Sequence, residues 1–365
     1  MNKFVRIYLL PGAMLQSVVI AGGYGTGREV VEYFTGQGMY SGVLGMLVAV
    51  VVLAAVFVLS LDLARSYQVF DYRNFFKVLL GRGWVLYEIL VILLVMLVLA
   101  VIGSAAGEIL ATEIGLPAWA GAGLMLLAVT VLVFFGREWV TRAMAYWSVY
   151  LYVVFLAYLV AVLWQMGDTI GAGFAASTES SAWATRGAQY TFYNMTAIPV
   201  ILYCAMAIET RRQAIIAGIV GAIIAVAPAL MLHVSFAAFY PEIVAESLPI
   251  YTVFSLLNIT VLKFAYLLML FGTFVETGAG NIQGFIERID AWWRESHEIG
   301  LSRWHHAGVA IIAMSLAGGL SFFGIVNLIA AGYGTLAWGF LLVYGIPLFT
   351  VGVLRLRSRN PGGGE

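Results

Sequence analysis

Charged residues are scarce in this chain of 365 residues: they make up 10% of it, with 19 basic and 19 acidic side chains. A soluble domain carries about 25% charged residues, so this chain cannot cover a water-facing surface. The scarcity excludes a cytosolic enzyme and a disordered chain. The formal net charge of zero leaves no basic surface for nucleic acid, and we expect no nucleic-acid partner.

Cysteine occurs once, as Cys204. A single thiol excludes a disulfide framework, a multi-cysteine metal site and a redox pair. Hydrophobic residues, in contrast, make up 62% of the chain. The composition therefore predicts an all-α polytopic membrane protein, which we expect in the inner (plasma) membrane of the cell as a multi-pass protein.

Ten segments are long and apolar enough to be transmembrane helices, because crossing the hydrocarbon core takes about 20 mostly apolar residues. The first segment has no small-residue cleavage site, so we interpret it as a retained span rather than a signal peptide. The predicted spans 1 to 10 cover residues 7–33, 41–63, 84–110, 118–136, 141–165, 189–208, 212–238, 254–285, 306–322 and 335–354.

Lys and Arg orient these spans, because cytoplasmic segments carry the excess of basic residues. With the N-terminus inside and ten spans, every basic residue except Arg28, Arg186 and Lys263 falls on the inner side. The sequence therefore predicts ten transmembrane helices with both termini cytoplasmic, and "inner" and "outer" refer to this orientation below. Two inner segments, 71–83 and 286–305, are amphipathic and are predicted to lie at the membrane surface.

The spans divide into two halves of five. We assign the first five-helix repeat to residues 1–168, an outer connecting loop to 169–188, the second repeat to 189–355 and a disordered cytoplasmic tail to 356–365. Because five is odd, the halves enter the membrane from opposite faces, so repeats here must be inverted, as in many secondary transporters. The outer stretch 241–253 is too short to span and is predicted to be a lid or a re-entrant half-helix.

Spans 1 and 6, the first of each half, carry helix-breaking residues. Four glycines lie between positions 22 and 27, and each costs a helix about 1 kcal/mol relative to Ala. In span 6, Pro199 removes a backbone donor and disfavours helical geometry at Ile198, although proline often only kinks a membrane helix. Free half-helix ends at mid-depth suit a zwitterion together with a metal ion or a proton. The sequence predicts a binding site between the two breaks.

Three strings carry a family resemblance: GGYGTGREVVEYF in span 1, YNMTAIPV in span 6 and NLIAAGYGTLAWGFLLVYGIPLF near the end. They resemble the YkvI-like family of bacterial membrane proteins, over nearly the whole chain. That family is similar to the amino acid–polyamine–organocation superfamily. The resemblance implies a LeuT-like fold with a 5+5 inverted repeat and broken helices 1 and 6.

The resemblance also implies a cation-coupled symporter (Na+ or H+) that works by alternating access, with spans 1, 2, 6 and 7 rocking as a bundle. The expected substrate is an amino acid or a related small amine or zwitterion, with its carboxylate on span 1 amides and its amine on span 6 carbonyls. Ser104 is open to a second interpretation as a helix-packing residue. The predicted substrate contacts are Gly23, Tyr24, Gly25, Thr26, Gly27, Ser104, Tyr193, Asn194 and Thr196.

Glu276 is an acidic residue inside span 8, where ionisable groups are expensive and usually functional. Thr273, Glu276 and Thr277 are spaced i, i+3 and i+4 and share one helix face, where they offer hard oxygen ligands. The resemblance implies a Na+ site there, completed by carbonyls of Gly22 and Gly25, and we expect no other cofactor. A carboxylate at this position would also suit a proton, or it could pair with an arginine on the inner side.

Arg28, Glu29 and Glu32 follow the break in span 1 and are predicted to form an outer gate with Glu108 and Lys263. A charge pair there would open and close as the vestibule hydrates, although ordinary ion pairing at a helix end explains it nearly as well. Lys263 is expected to pair with Glu108, Glu29 or Glu32, or else to reach the outer interface.

An ion channel with a glycine-rich re-entrant filter is the alternative function, because the string GYGT occurs twice, at 23–26 and 332–335. Neither copy follows the Thr-Val of a potassium filter. We expect no enzyme, since no nucleophile has a base at plausible spacing. His233 lacks a second histidine and is predicted to be packed or pore-lining. The expected partners are a small-molecule substrate and the lipid bilayer, with the chain a monomer or a homodimer.

Overall fold

The computed structural model describes residues 3–20, 22–135, 137–297 and 302–359. Within these ranges every regular element is helical and none is a strand. By length and composition, six helices can cross a membrane: Met39–Tyr67, Tyr72–Ile114, Tyr150–Ala175, Arg211–Phe239, Thr260–Asp290 and Ile325–Arg359. Three shorter apolar helices and an interrupted helix occupy the positions of the other four predicted spans: Val5–Val19, Ala118–Phe134, Ala307–Ser321 and residues 183–207.

The first half contains the most strongly interrupted span. Span 1 consists of a π-helical turn and three helices: Val5–Leu9, Leu10–Val19, Gly22–Gly25 and Arg28–Tyr33. Spans 2 to 4 are continuous: Met39–Tyr67, Trp84–Ile114 and Ala118–Phe135. Span 5, Arg137–Ala175, is kinked at Met166, whose φ of -125° and ψ of 15° are not helical. The amphipathic segment between spans 2 and 3 forms the helix Tyr72–Leu80, which begins where the Asp71 carboxylate accepts a hydrogen bond from the Asn74 amide at 2.9 Å.

The second half begins with span 6, which is α-helical over Trp183–Asn194 and 3-10 helical over Met195–Ala197 and Pro199–Ala207. Span 7 is Arg211–Phe236, and spans 8 and 9 are Thr260–His297 and Arg303–Ser321. Residues 240–258, named the outer segment below, contain a 3-10 turn and a helix, Glu242–Ala245 and Pro249–Leu257. Span 10 is helical from Ile325 to Arg359, with π turns at Leu328–Tyr333, Leu341–Gly345 and Leu348–Gly352.

Helices extend beyond the predicted spans at two places in the chain. The expected outer loop 169–188 is helical through Ala175 and again from Trp183, so the connection is only 176–182. Span 8 begins at Thr260 and continues to His297, where the sequence predicted a separate surface segment from residue 286. In both cases the helix continues beyond the apolar stretch on which the prediction was based.

The start of the predicted disordered tail is helical. Residues 356–359 continue span 10, and the Arg359 guanidinium lies 4.4 Å from the ring centroid of Tyr67. The Tyr67 hydroxyl in turn donates to the Arg355 carbonyl at 3.2 Å. These contacts with the end of span 2 hold the last helical turn, and residues 360–365 lie outside the described residues.

Large apolar side chains cover the outside of the helix bundle. Leu47 of span 2, Leu156 of span 5, Phe264 of span 8 and Leu316 of span 9 are all more than half exposed. A water-soluble monomer rarely leaves so many large apolar side chains on its surface, whereas the lipid-facing surface of a helical membrane protein requires them. The predicted all-α polytopic membrane architecture is confirmed.

Glycines let spans 1, 2 and 7 approach closely. A Cβ atom on Gly12 of span 1 would lie 2.7 Å from the Cα of Gly221 in span 7, and one on Gly218 would lie 2.5 Å from the Val58 side chain in span 2. Small residues at such crossings bring helix backbones together in membranes. This packing joins the inner half of span 1 to its neighbours and fixes where its break falls.

Candidate functional site

The helix of span 1 is interrupted at mid-length, as predicted. Ile20 leaves helical geometry with ψ 83°, and Gly27 adopts a left-handed φ of +84°. The Thr26 hydroxyl donates to the Gly23 carbonyl at 2.8 Å and satisfies one acceptor within the break. Glycine is required at position 27, because its backbone is left-handed and the Phe236 ring packs directly against its Cα. The chain therefore enters the outer helix Arg28–Tyr33 in a new direction.

The interruption of span 6 takes the form of a tighter helix. Pro199 cannot donate the α-helical hydrogen bond to residue 195, and the Ile198 amide donates instead to the Met195 carbonyl at 3.0 Å. The 3-10 pattern then continues to Ala207. The predicted break is present here, but the backbone stays helical because i to i+3 bonds replace the lost α-helical ones.

Glu29 lies at the break in span 1. Its side chain is 1% exposed, and its Oε2 accepts a hydrogen bond from the Tyr193 hydroxyl of span 6 at 2.5 Å. Its Oε1 lies 2.5 Å from where a Cβ on Gly23 would be, so the carboxylate folds back over the break. The sequence placed Glu29 in the outer gate; in the structure it belongs to the centre, because the turn at Gly27 directs it inward.

Five tyrosines surround this carboxylate: Tyr24, Tyr33, Tyr190, Tyr193 and Tyr333, named the tyrosine cluster below. All five lie within electrostatic reach of Glu29 and are almost fully buried. Tyr193 stacks on Tyr333 with ring centroids 4.9 Å apart and lies 5.5 Å from Tyr33. The cluster joins spans 1, 6 and 10 around one buried acid.

Three hydroxyl groups of the tyrosine cluster lack a normal hydrogen bond. The buried oxygens of Tyr24, Tyr33 and Tyr190 have no partner with standard geometry among the described residues, although the Tyr24 and Tyr190 side chains lie next to each other. A buried unsatisfied hydroxyl costs about 1–3 kcal/mol. Within the described part of the chain, the Tyr33 hydroxyl therefore has hydrogen-bonding capacity that is not used, while Tyr24 and Tyr190 interact with each other.

Arg28 fastens the outer half of span 1 to the outer segment. Its guanidinium is buried and donates to the carbonyls of Val244 and Glu246, both at 2.9 Å. It also forms an ion pair with Glu32 at 3.1 Å, and Arg186 of span 6 lies 3.6 Å from the other oxygen of Glu32. These five residues are named the outer latch below. The structure thus gives Arg28 the acidic partner that the gate prediction required.

The other two predicted gate residues have different partners from those expected. Glu108 of span 3 accepts a hydrogen bond from the Ser247 hydroxyl of the outer segment. Lys263 forms its ion pair with Glu113, at 2.5 Å, and lies 5.3 Å from the Tyr251 ring centroid. The predicted pairing of Lys263 with Glu108, Glu29 or Glu32 is wrong, because Lys263 lies at the outer end of span 8, beside the last turn of span 3.

The predicted coupling residues line one buried face of span 8. Thr273 and Glu276 are 2% and 8% exposed, Thr277 is partly buried, and the Thr273 hydroxyl donates to the Met269 carbonyl at 2.8 Å. Among the described side chains, no hydrogen bond or ion pair to the Glu276 carboxylate is found. The side chains of the inner arginines Arg137 and Arg142 lie outside the described part of the chain, so the alternative pairing of Glu276 with an inner arginine stays a prediction. The face offers two hydroxyl oxygens and one carboxylate.

Gly25 and Gly22 differ in how they relate to span 8. The Gly25 carbonyl accepts a hydrogen bond from the Tyr266 hydroxyl at 2.8 Å, and Leu270 packs against the Gly25 backbone. Thr273 lies about 4.5 Å farther toward the inner side than Leu270. Gly25 thus lies level with the outer part of span 8 and its carbonyl accepts from Tyr266, while the parts of Gly22 and Gly25 in the coupling site stay predictions.

Three further predicted substrate contacts stay predictions. Asn194 and Thr196 donate to carbonyls of their own helix, those of Tyr190 at 3.0 Å and Tyr193 at 2.6 Å. Ser104 is partly buried on span 3, and both of its predicted roles, substrate contact and helix packing, stay open.

His233 of span 7 is a packed residue, one of the two roles predicted for it. Its Nδ1 lies 2.9 Å from the Thr35 hydroxyl and its Nε2 lies 2.9 Å from the Met39 carbonyl. Both ring nitrogens are thus engaged in joining span 7 to the turn between spans 1 and 2.

Sequence reasoning missed four residues of the site: Tyr33, Tyr190 and Tyr333 of the tyrosine cluster and Arg186 of the outer latch. A signal for Tyr333 existed, because the repeated string GYGT contributes both Tyr24 and Tyr333 to the cluster. Tyr190 shares a helix face with Tyr193 at i, i+3 spacing. Tyr33 had no comparable signal, since only the folded chain brings it to span 6.

Solved structures of similar fold were found for nearly the whole chain. A Na+-coupled sialic acid symporter in a substrate-bound outward-open state has a TM-score of 0.61 and 14% identity, covering 94% of this chain and 78% of the symporter. MhsT in complex with L-phenylalanine has a TM-score of 0.61 and 14% identity, covering 95% of this chain and 98% of MhsT. The manganese transporter of Eremococcus coleocola has a TM-score of 0.61 and 14% identity, covering 95% of this chain and 79% of that transporter. The sequence matches no protein-family model and no curated protein.

These structures have the LeuT fold, and at 14% identity the likeness shows the fold alone. The protein is accordingly an all-α polytopic membrane protein with the LeuT fold, which confirms the predicted fold class. The narrower resemblance to the YkvI-like family stays a prediction.

Proposed function

We propose that the protein is a secondary active transporter that carries a small amine-bearing solute, an amino acid or a related amine or zwitterion, by cation-coupled symport. The observation that carries this proposal is the buried polar centre, where Glu29 and the tyrosine cluster meet the interrupted backbone of span 1. Irregular backbone is tolerated at membrane depth only where protein or a hydrated cavity surrounds it. Transporters bind substrates at such interrupted helices near the membrane midplane.

Alternating access would open this centre to one side at a time. The outer latch and the hydrogen bond from the Ile250 amide to the Thr26 carbonyl, at 3.2 Å, close the outer side. Opening outward requires these bonds to break and the outer segment to leave span 1. Opening inward requires the inner ends of spans 1, 2, 6 and 7 to move together away from the remaining spans, with the Gly12–Gly221 packing kept inside the moving bundle.

Coupling would use the buried face of span 8. Thr273, Glu276 and Thr277 offer oxygen ligands that suit Na+, and the same carboxylate suits a proton. We expect the Gly22 carbonyl to complete a Na+ site. The described residues include no group of three or more His, Cys, Asp or Glu side chains that could hold a metal ion, so the donor set favours a hard monovalent cation over a transition metal.

The first test of this proposal is the substitution Glu276→Gln, which keeps the shape of the side chain and removes its charge. We expect proteoliposomes with E276Q to lose uptake driven by an imposed cation gradient while they keep exchange of labelled for unlabelled solute. The exposed Glu242 of the outer segment offers a matched control, since E242Q should behave as the wild type. Gradient-driven uptake that survives E276Q unchanged would show that the coupling site lies elsewhere.

The coupling ion is identified by ion replacement in the same proteoliposomes. Replacing Na+ with choline at fixed pH should abolish uptake if Na+ is the coupling ion, and should leave it intact if the ion is a proton. A passive, ohmic current without saturable solute uptake would instead favour the channel, and would contradict the proposal.

A further inference from the structure

Glu29 is a buried acid without a described cationic partner. Among the described side chains, no Lys, Arg or His nitrogen lies within ion-pair distance of its carboxylate. The nearby cations are used elsewhere: Arg28 and Arg186 both pair with Glu32, and Arg28 also binds the outer segment. A lone carboxylate buried at membrane depth is expensive. The site is therefore built to receive positive charge.

The tyrosine cluster supplies the rest of a cation site. Aromatic ring faces attract cations through their quadrupole. The ring centroids of Tyr33 and Tyr193 are 5.5 Å apart, and those of Tyr193 and Tyr333 are 4.9 Å apart. The hydroxyl oxygens of Tyr24, Tyr33 and Tyr190 can accept hydrogen bonds from N–H groups, and the Tyr33 oxygen has no partner among the described residues. Acceptors are useful to an ammonium ion that carries N–H bonds and of no use to a quaternary one.

A second carboxylate has no suitable place at this centre. In the predicted zwitterion mode, the substrate carboxylate would bind the amides of span 1 beside the break. Glu29 already lies there, with Oε1 over Gly23 and Oε2 on Tyr193. Two carboxylates sharing one buried site repel each other strongly.

We infer that the substrate is an organic ammonium ion without a carboxylate, a protonated primary amine whose nitrogen binds Glu29 and the hydroxyls of the tyrosine cluster. This inference rests on the proposed function and narrows its substrate from an amino acid, amine or zwitterion to an amine. Glu29 acts as the counter-ion, and Tyr33 as a specificity residue that accepts an N–H bond.

The test is a thermal-shift screen of the purified full-length protein with ligands matched on one skeleton. One set is phenethylamine, its N,N,N-trimethyl analogue, phenylalanine and 3-phenylpropionate; a second is pentylamine, its trimethyl analogue, norleucine and hexanoate. We expect a primary amine to raise the melting temperature and the other members of its set not to. Stabilisation by the amino acids, by the acids or by no compound overturns the inference.

Two variants connect the binding to the site. Glu29→Gln should weaken binding of the amine about 30-fold or more, because one partner of a buried charge pair is removed, whereas E242Q should leave it unchanged. Tyr33→Phe should also weaken amine binding, yet its ligand-free melting temperature should stay equal or rise, because a buried hydroxyl without a partner is removed. Unchanged amine affinity in E29Q would overturn the role of Glu29 as the counter-ion. A weaker amine affinity in Y33F that is accompanied by a lower ligand-free melting temperature would overturn the role of Tyr33 as a specificity residue.

Failure of this inference is distinguishable from failure of the proposed function. If amino acids bind and accumulate along a cation gradient while amines do not, the proposed symport is supported and the assignment of an amine substrate is wrong. If an amine binds through Glu29 but never accumulates along a gradient, the binding site is supported and the proposed symport is wrong.

Discussion

At the scale of single residues, the backbone turn at Gly27 directs the adjacent charged side chains of Arg28 and Glu29 to different sites. Gly27, with φ +84°, starts the outer helix in a direction that turns Arg28 toward the outer segment and Glu29 toward the break. Adjacent residues of a helix lie about 100° apart around its axis, so neighbours in sequence serve different sites. A Cβ at position 27 would strain the backbone and meet the Phe236 ring.

Glu179 in the connection 176–182 gives a residue-scale prediction about pH. Its carboxylate accepts hydrogen bonds from the amides of Ser41 and Tyr40, at 2.6 and 3.2 Å, and from the Ser177 hydroxyl at 2.6 Å. Partial burial acts to raise the pKa of Glu179, but these hydrogen bonds outweigh it and hold the pKa below its ordinary value of 4.5. The cap therefore stabilises the start of span 2 above pH 4.5, and this stability is lost as the pH falls through the lower folded-state pKa.

We expect Glu179→Gln to lower the melting temperature in detergent by about 2 °C at pH 7, the size of a lost helix cap. The gap between E179Q and the wild type should close as the pH falls from 4.5 through the lower folded-state pKa of Glu179, because the wild-type carboxyl then becomes uncharged like the Gln side chain. The control E242Q should show no such gap. A gap that stays constant from pH 7 to acid would contradict the capping role.

At the scale of elements, the outer latch decides whether the outer segment stays on span 1. Arg28 makes two hydrogen bonds to carbonyls of that segment and one ion pair, all while buried. Hydrogen bonds to charged groups are worth about 1.5–3 kcal/mol each. Losing them should favour conformations that are open to the outside.

Cysteine labelling tests this opening. In a Cys204→Ala background, Ile250→Cys places a thiol at a position that is buried while the outer segment is closed. We expect Arg28→Gln to raise its labelling rate by a membrane-impermeant maleimide about tenfold or more. Lys3→Gln is the control, since it breaks an exposed ion pair with Glu209 at the inner end and should not raise the rate. An equal labelling rate with and without the Arg28 side chain would show that the outer latch does not hold the outer segment on span 1.

The sequence predicted the elements better than their contacts. The spans, the two interruptions and the helix at 72–80 follow from local apolar length, Gly and Pro, and amphipathic spacing. The partner of Lys263 does not: Glu113 and Glu108 lie on the same span, and only the relative position of spans 3 and 8 selects between them. The tyrosine cluster is likewise built from three spans that are distant in sequence.

At the scale of the whole molecule, the structure is closed on its outer side around a buried acid. The outer latch and the outer segment cover the break, while Lys3 pairs with Glu209 at 3.1 Å and Gly12 packs on Gly221 at the inner side. The outer contacts are polar and bind the outer segment to span 1. We propose that the bound solute and the coupling cation control when the outer or the inner side opens.

The central claim is that this molecule uses a cation gradient to concentrate a solute. The most direct measurement is the steady-state accumulation ratio of a labelled primary amine in proteoliposomes. The membrane potential is clamped at zero, so that it does not itself drive accumulation of the positively charged amine. We predict a ratio above one that rises with the imposed inward gradient of the coupling cation and returns to one when an ionophore dissipates it. A ratio of one at every gradient, for a labelled amino acid as well as for the amine, would show that the molecule does not use a cation gradient to concentrate a solute.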